Sequence, residues 1–366
     1  MKTAVVILNW NTRDYLHRFL PGLLESCRGK DAAVIVADSA STDGSMEMMA
    51  QEFPQVRTIP LDGNYGFTGG YNRALAQLEA EYFVLINSDI EVSADWLEPL
   101  VTWMDSHPSC GACGPKLLSW YERDTFEYAG AAGGCIDAFG YPFCRGRVLK
   151  RVEKDHGQYD DATDVFWVSG ACMMVRSSLW RALGGLDDRF FAHMEEIDLC
   201  WRMRLQGRTV SVVPQSVVYH IGGGTLPQDS PWKLELNYRN NLLMLDNNLA
   251  RQVMLEGLPA GKSLAIARRQ IFLRKCLDGM AAVVYVLQGH PRYAGAVWRA
   301  HRAYRRLRTP LTAAQLEKEA AARVETGGTA PLPREAAVKG VMPKSIIFAA
   351  KLHRRNIFEY VIKHTL

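Results

Sequence analysis

The chain has 366 residues and a mass of 41.0 kDa, enough to bury a sizeable core and to fill about two domains. Hydrophobic residues at 48% and charged residues at 22% exclude a disordered or fibrous chain. The net charge of +4 hides an asymmetry: residues 1–250 carry 22 Lys/Arg against 32 Asp/Glu, and residues 251–366 carry 21 against 7.

In chain order, Met1-Lys2-Thr3 leads into Ala4–Leu8, an apolar run too short for a signal peptide and without a cleavage site; it reads as a buried strand. Ala33–Ala37, Val56–Pro60 and Tyr82–Asn87 read as further strands, and helical periodicity fills Arg13–Ser26, Ser45–Phe53 and Tyr71–Glu79. This rhythm predicts an α/β fold with a mostly parallel sheet and helices on both faces. Ligands of such sheets bind beyond the carboxyl ends of the strands, where Asn9, Asp38, Asn87 and Asp89 stand.

Residues 120–165 are rich in glycine, aromatic and charged residues and read as an excursion or small antiparallel ribbon. Dense patterning returns over 166–225 and ends in Gly222-Gly223-Gly224, residues 230–310 are helical in pattern, and Thr326–Pro333 reads as a linker. The apolar run Gly279–Gly289 falls short of the roughly 20 residues that span a bilayer. The eight cysteines are scattered, and the Cys110–Cys113 pair lacks a second pair at zinc-site spacing; structural thiols in a reducing cytoplasm are expected.

Four segments carry chemistry. In Asp38–Ser45 the strand-terminal Asp38 suits the N–H groups of a base or a ribose hydroxyl, whereas Asp43 and Ser45 suit turns and caps. Asn64–Arg73 holds glycines opening a helix, where backbone N–H groups approach a phosphate; it fits neither a P-loop nor a G-x-G-x-x-G pattern. Asn87-Ser88-Asp89 ends an apolar strand with two oxygen-bearing side chains on one edge, suited either to a cation carried by a diphosphate or to a turn. Glu195, Glu196 and Asp198 crowd three acids near a helix start. The helix dipole favours acids there, and their repulsion and burial would lift one pKa toward that of a general base. His220 closes a strand-like run before the glycines, as a structural histidine, a metal ligand or a group behind one.

Together these blocks, with Val6–Asn11, resemble glycosyltransferase family 2 of the bacterial rhamnosyltransferase kind over roughly residues 3–225. The resemblance implies a GT-A (Rossmann-like) fold, a nucleotide-diphospho-sugar donor such as dTDP-rhamnose or a UDP-sugar, a divalent cation (Mg2+ or Mn2+) and inversion at the anomeric carbon. Asp38 would hold the base. Asn9, Asn64, Gly69, Asn72, Asn87 and Ser88 would line the donor site. Asp89 stands in the family's D-x-D position as the metal-side acid, with Asn87 in place of the first acid, and His220 matches a histidine that completes the metal site. The usual Glu-Asp pair is Glu195-Glu196 here, which puts Glu196 at the base position with one extra methylene and leaves either carboxylate able to serve. Trp167, Ser169, Gly170 and Asp198 fall around the sugar and acceptor pocket, with Trp167 equally suited to the core.

Residues 1–230 are therefore expected to form the GT-A domain and residues 231–366 a helical, basic region. Arginines and lysines over 262–308 interleave with apolar and aromatic residues, as in helices lying on an anionic membrane; packing on the catalytic domain and, last, nucleic-acid binding are the alternatives. Lys351–Lys363 reads as a second such element. The expected partners are the donor, a lipid-linked glycan acceptor and an anionic membrane, not nucleic acid, with the protein peripheral on the inner face of the cytoplasmic membrane. The rival reading is a non-catalytic nucleotide-sugar-binding or membrane-scaffold protein that retains the fold.

Overall fold

Apolar strands alternate with amphipathic helices through the first half of the chain, in a computed structural model that describes residues 1–222, 230–325 and 340–365. Strands β1 (Thr3–Asn9), β2 (Ala32–Asp38), β3 (Arg57–Pro60) and β4 (Tyr82–Ile86) are separated by helices α1 (Arg13–Cys27), α2 (Ser45–Glu52) and α3 (Gly66–Leu75). β1 and β4 are apolar almost throughout because helices cover both sides of a parallel sheet. β5 (Ile90–Val92), α4 (Leu97–Ser106) and β6 (Cys110–Ser119) follow. The excursion then contributes β7 (Gly134–Asp137), β8 (Pro142–Cys144), β9 (Arg147–Val148), β10 (Arg151–Val152) and β11 (Thr163–Asp164). The chain returns through β12 (Cys172–Arg176), α5 (Ser177–Ala182), α6 (Glu195–Leu205) and β13 (Thr209–His220).

The main sheet has the order β11-β13-β6-β12-β4-β1-β2-β3, with β5 against β13. β1 to β4 pair in parallel, as do β6 and β13, and β12 runs against both of its neighbours. The expected mostly parallel α/β sheet is thus present. α3 begins earlier than the apolar periodicity predicts, because its first turns are glycine: a Cβ on Gly70 would lie 2.6 Å from the Leu8 side chain of β1.

Helices cover the two faces separately. Leu16 and Leu20 of α1, Met49 of α2 and Leu100 of α4 fill one. On the other, Tyr71 of α3 and Leu199 of α6 meet Leu242–Leu245 of α7 (Pro231–Leu255), Ile271 of α8 (Ala260–Leu287) and Tyr304 of α9 (Pro291–Leu307). Each fully buried leucine there contributes about 1.5–3 kcal/mol. The inner faces of the basic helices are thus packed on the catalytic body, with α10 (Ala313–Glu325) adding Leu316 against Ala250 and Leu264.

The end of the chain returns to the excursion. β14 (Val341–Met342) joins β7 in parallel to give the order β10-β9-β8-β7-β14, and α11 (Ile346–Leu352) and α12 (Ile357–Thr365) cover it with Ile346 and Val361 against Phe143 and Val148. Asp137 makes the join, accepting from the Ile346 N–H at 2.8 Å; burial lifts its carboxyl to about 6. The predicted antiparallel ribbon is there, extended by a strand from the far end of the chain. Gly223, Gly224 and the linker Thr326–Pro333 lie outside the described residues. Among the described residues no helix is long and apolar enough to cross a membrane. Seven cysteines are buried, and burial pushes the Cys110 and Cys113 thiols up, as structural thiols require; Cys276 alone is exposed.

Candidate active site

β1 and β2 end in register at Asn9 and Asp38. Asn9 Nδ2 donates to Asp38 Oδ1 (2.6 Å) and Ser41 Oγ (3.0 Å), Asn9 Oδ1 accepts from Thr12 Oγ1, and Asp38 Oδ2 accepts from the Ser41 N–H (2.9 Å). Asn9 is fully buried and its amide is spent on this frame, so it orients Asp38 and does not face a donor as expected. Asp43 accepts from the N–H groups of Arg13 and Ser45 (2.9 and 3.0 Å), the turn chemistry that its position suggested.

The α3 segment also departs from expectation. Asn64 is exposed, and its Oδ1 shapes the turn by accepting from the Gly66 N–H (2.8 Å). Gly69 lies inside the helix, where a Cβ would come 2.8 Å from Tyr65 Cβ; it serves close packing, not a phosphate. Asn72 donates to Leu186 O and Asp188 Oδ1 (both 2.7 Å) and accepts from the Leu186 N–H (2.9 Å). With its amide consumed, Asn72 ties α3 to the turn ahead of α6 rather than binding the donor.

β4 delivers Asn87, Ser88 and Asp89 to the same rim. The Asn87 N–H donates to Ala171 O (2.9 Å), which sets this turn beside Gly170. Asp89 and His220, which ends β13, are buried and paired, with Oδ1 to Nε2 at 3.2 Å. Burial opposes the charge on both; the pairing outweighs it and holds the Asp89 carboxyl below its usual range. For His220, Asp89 and Glu127 together raise the imidazole to about 10 against the same burial. Glu127 faces Nδ1 at 3.5 Å. Among the described residues no cluster of three or more His, Cys, Asp or Glu is built to hold a metal by itself. With the His220 proton displaced, one carboxylate oxygen and one imidazole nitrogen would fit a cation whose remaining ligands come from a diphosphate and water.

The acid pair opens α6 after a strained approach. Phe191, His193 and Met194 are non-glycine residues with φ of 64°, 70° and 71°, costing about 1–3 kcal/mol each. Asn240 of α7 holds them by donating to Phe190 O, Ala192 O and His193 O (2.7–2.9 Å). Glu195 is buried and Glu196 partly so, and neither Oε2 has a hydrogen-bond partner. Burial, with the neighbouring Glu196 and Asp198 charges, pushes the Glu195 carboxyl well up; burial lifts Glu196 to about 7. Gly170 lies against this pair, its missing Cβ 3.6 Å from Glu196 Cβ and 3.2 Å from the Phe67 ring.

Asp198, expected around the pocket, is elsewhere, and Trp167 takes the core, one of its two expected places. Asp198 is fully buried and satisfied, accepting from Arg202 Nε (2.7 Å), Asn247 Nδ2 (3.0 Å) and Asn248 Nδ2 (2.7 Å); it clamps α6 to α7. Trp167 is core, its Nε1–H donating to Cys135 O at 3.0 Å. Ser169 is buried and turns its Oγ to the Ala171 N–H (3.3 Å). Glu127 and Lys233, whose ammonium burial pushes down, escaped the sequence reading. Glu127 sits in a stretch without periodicity and left no signal. The amides of α7 did leave one: Asn240, Asn241, Asn247 and Asn248 recur at helical spacing within an apolar run.

Asp38 and His220 at strand ends, Asp89 just after β4 and Glu196 at the start of α6 thus come to one rim of the sheet. Residues 4–183 match the family described as Glycosyl transferase family 2. The chain is 26% identical over 259 residues to an N-acetylglucosaminyl-diphospho-decaprenol L-rhamnosyltransferase of Mycobacterium tuberculosis, covering 66% of this chain and 83% of that one. It is 24% identical to the rhamnosyltransferase WbbL of Escherichia coli, over 59% of this chain and 82% of WbbL. Among solved structures, GalNAc-T7 with UDP, GalNAc and Mn2+ shares the fold with a TM-score of 0.53 at 15% identity, over 71% of this chain and 52% of that one. Staphylococcus aureus TarS with UDP-GlcNAc does so with a TM-score of 0.51 at 16% identity, over 83% and 82%. The match in sequence and the GT-A architecture agree: residues 4–183 form a domain of the glycosyltransferase family 2 type.

Proposed function

We propose that the protein moves a sugar from a nucleotide-diphospho-sugar, dTDP-rhamnose or a UDP-sugar, onto a lipid-linked saccharide, with inversion, in cell-surface polysaccharide synthesis at the inner face of the cytoplasmic membrane. Residues 1–230 carry the donor and the chemistry, and residues 231–366 shape the acceptor side. The observation that carries the reading is Glu196: a carboxylate with a free oxygen, lifted to about 7, beside the cradle at Gly170. Such a group is part-ionised at neutral pH and suited to take a proton.

Asp38, held by Asn9 and Ser41, recognises the base. Asp89, with His220 once metal binding displaces its proton, would hold a divalent cation, which would supply charge neutralisation for the departing diphosphate. Glu196 takes the acceptor hydroxyl proton as that oxygen bonds to C1 of the sugar; the C1–O bond to the diphosphate breaks, and the nucleoside diphosphate leaves. Glu195, kept protonated by burial and by its neighbour, adds no second negative charge. The named activity of the mycobacterial relative makes an N-acetylglucosaminyl-diphospho-prenol the first acceptor to try. The assay is acceptor-dependent release of nucleoside diphosphate across a donor panel. Release with one preferred donor is expected; donor binding without release from any donor would overturn the proposal.

A further inference from the structure

Beyond Arg269 the basic residues do not form the outer face of α8. Arg274 is buried against Asp278 at 2.7 Å with its guanidinium 3.8 Å from the Tyr141 ring, and Lys275 lies over Tyr304. From Phe272 to Leu287, about 22 Å of helix, the exposed side chains are instead uncharged. Phe272, Met280, Val283, Val284, Val286 and Leu287 are 47–80% exposed. No soluble surface gains from such a stripe. Charge flanks it: Arg268 and Arg269 are exposed at its foot, and Arg302, Arg305 and Arg306 are exposed on α9, where Arg302 lies over the exposed Trp298 ring at 5.6 Å.

The stripe is coupled to the acid pair. The α8 end meets α7 through the Tyr285 and Tyr238 hydroxyls (3.4 Å), and α9 meets it through Arg299 and Glu235 (2.7 Å). The same end of α7 packs Trp232 on the Phe191 ring and holds the 190–193 carbonyls ahead of Glu195 and Glu196.

The geometry points to the outer face of α8 from Phe272 to Leu287 as a membrane-inserting surface, seated among the acyl chains of an anionic bilayer with the α9 arginines at its headgroups. An apolar stripe of this length, an interfacial tryptophan and flanking arginines match a lipid boundary in both polarity and charge. The surface rests on the lipid-linked acceptor proposed above, and it sets the acid pair beside the layer from which that acceptor projects.

The test uses the full chain with an environment-sensitive fluorophore on Cys276, the exposed cysteine within the stripe. Phosphatidylglycerol–phosphatidylcholine vesicles are expected to sediment the protein and shift the dye to the blue, and phosphatidylcholine vesicles to do so less. Val283→Asp with Leu287→Asp should weaken vesicle binding about tenfold or more, and Arg302→Gln with Arg305→Gln should remove the preference for anionic lipid. These side chains face away from the core, and an unchanged melting temperature verifies the fold. Three results overturn the inference: no binding of the native chain, binding unmoved by the aspartates, or a dimer that the aspartates dissolve without affecting vesicles. Transfer to a short-chain, water-soluble acceptor by the same variants is measured separately, so loss of the surface and loss of the proposed activity read out apart.

Discussion

Replacing Glu196 by glutamine tests the chemistry most directly, because the amide keeps the shape of the side chain and removes the base. Positioned general-base catalysis contributes typically about 10²–10⁴-fold, so kcat should fall by that factor, equivalent to about 3–5 kcal/mol. Stability should move the other way. A carboxyl that ionises near 4.5 in the unfolded chain and near 7 when folded destabilises the fold as pH rises from 4.5 to 7, and at full cost above that. At 1.36 kcal/mol per pH unit the cost is at most about 3 kcal/mol, and partial exposure of Glu196 trims it. Glu196→Gln should therefore melt no lower than the native chain at pH 8 while turning over far more slowly. The native rate should climb with pH through a limb near 7 that belongs to the Glu195–Glu196 pair. Activity within about threefold of native, or a loss shared equally by a merely destabilised protein, would refute the assignment.

Two further substitutions separate ligand-facing groups from framework. Glu127→Gln takes the carboxylate away from His220 Nδ1 and should raise the Mn2+ concentration for half-maximal activity roughly 10–100-fold, with donor affinity in saturating metal little changed. Asp198→Ala removes the buried carboxylate that pairs with Arg202 and joins it to two asparagine amides of α7, leaving the guanidinium only the Leu183 and Gly185 carbonyls; urea unfolding should show a loss of about 3–5 kcal/mol, and a loss below about 1 kcal/mol would return Asp198 to the pocket.

The contrast between Asp89 and Asp198 explains what was legible in the sequence. Strands β1, β2 and β4 announce themselves by apolar runs, and their last polar residues must emerge at the carboxyl edge, so Asp38, Asn87 and Asp89 were located by position alone. Asp198 lies on a helix, where acids three residues apart share a face but the identity of the neighbouring element is hidden. The partner proved to be an asparagine face on α7, contributed some fifty positions later. Asn72 misled for the same reason: a polar atom near a site is spent on a loop carbonyl as readily as on a ligand, while Trp167, equally suited to core and pocket, turned its indole N–H to Cys135 O of β7. The parallel strand β14, which returns to β7 from the far end of the chain, is too short to leave any period.

The energetics of the segment before α6 tie the helical region to the candidate site. Three left-handed residues in succession of four positions are a conformation that Phe191, His193 and Met194 would leave if unsupported. What opposes their relaxation comes from α7: Asn240 engages three carbonyls of the segment, and Arg239 Nη2 reaches Phe190 O as well. The strain sets the direction in which α6 starts, and that direction turns Glu196 toward Gly170. The half-buried His193, whose imidazole burial and the nearby Lys233 lower to about 4, stays neutral in this support and adds no charge beside the acids. On the proposed assignments, a helix that holds Glu196 in register on its inner side, while its neighbours α8 and α9 expose an apolar face on their outer side, would join acceptor delivery to proton transfer through one continuous packing contact.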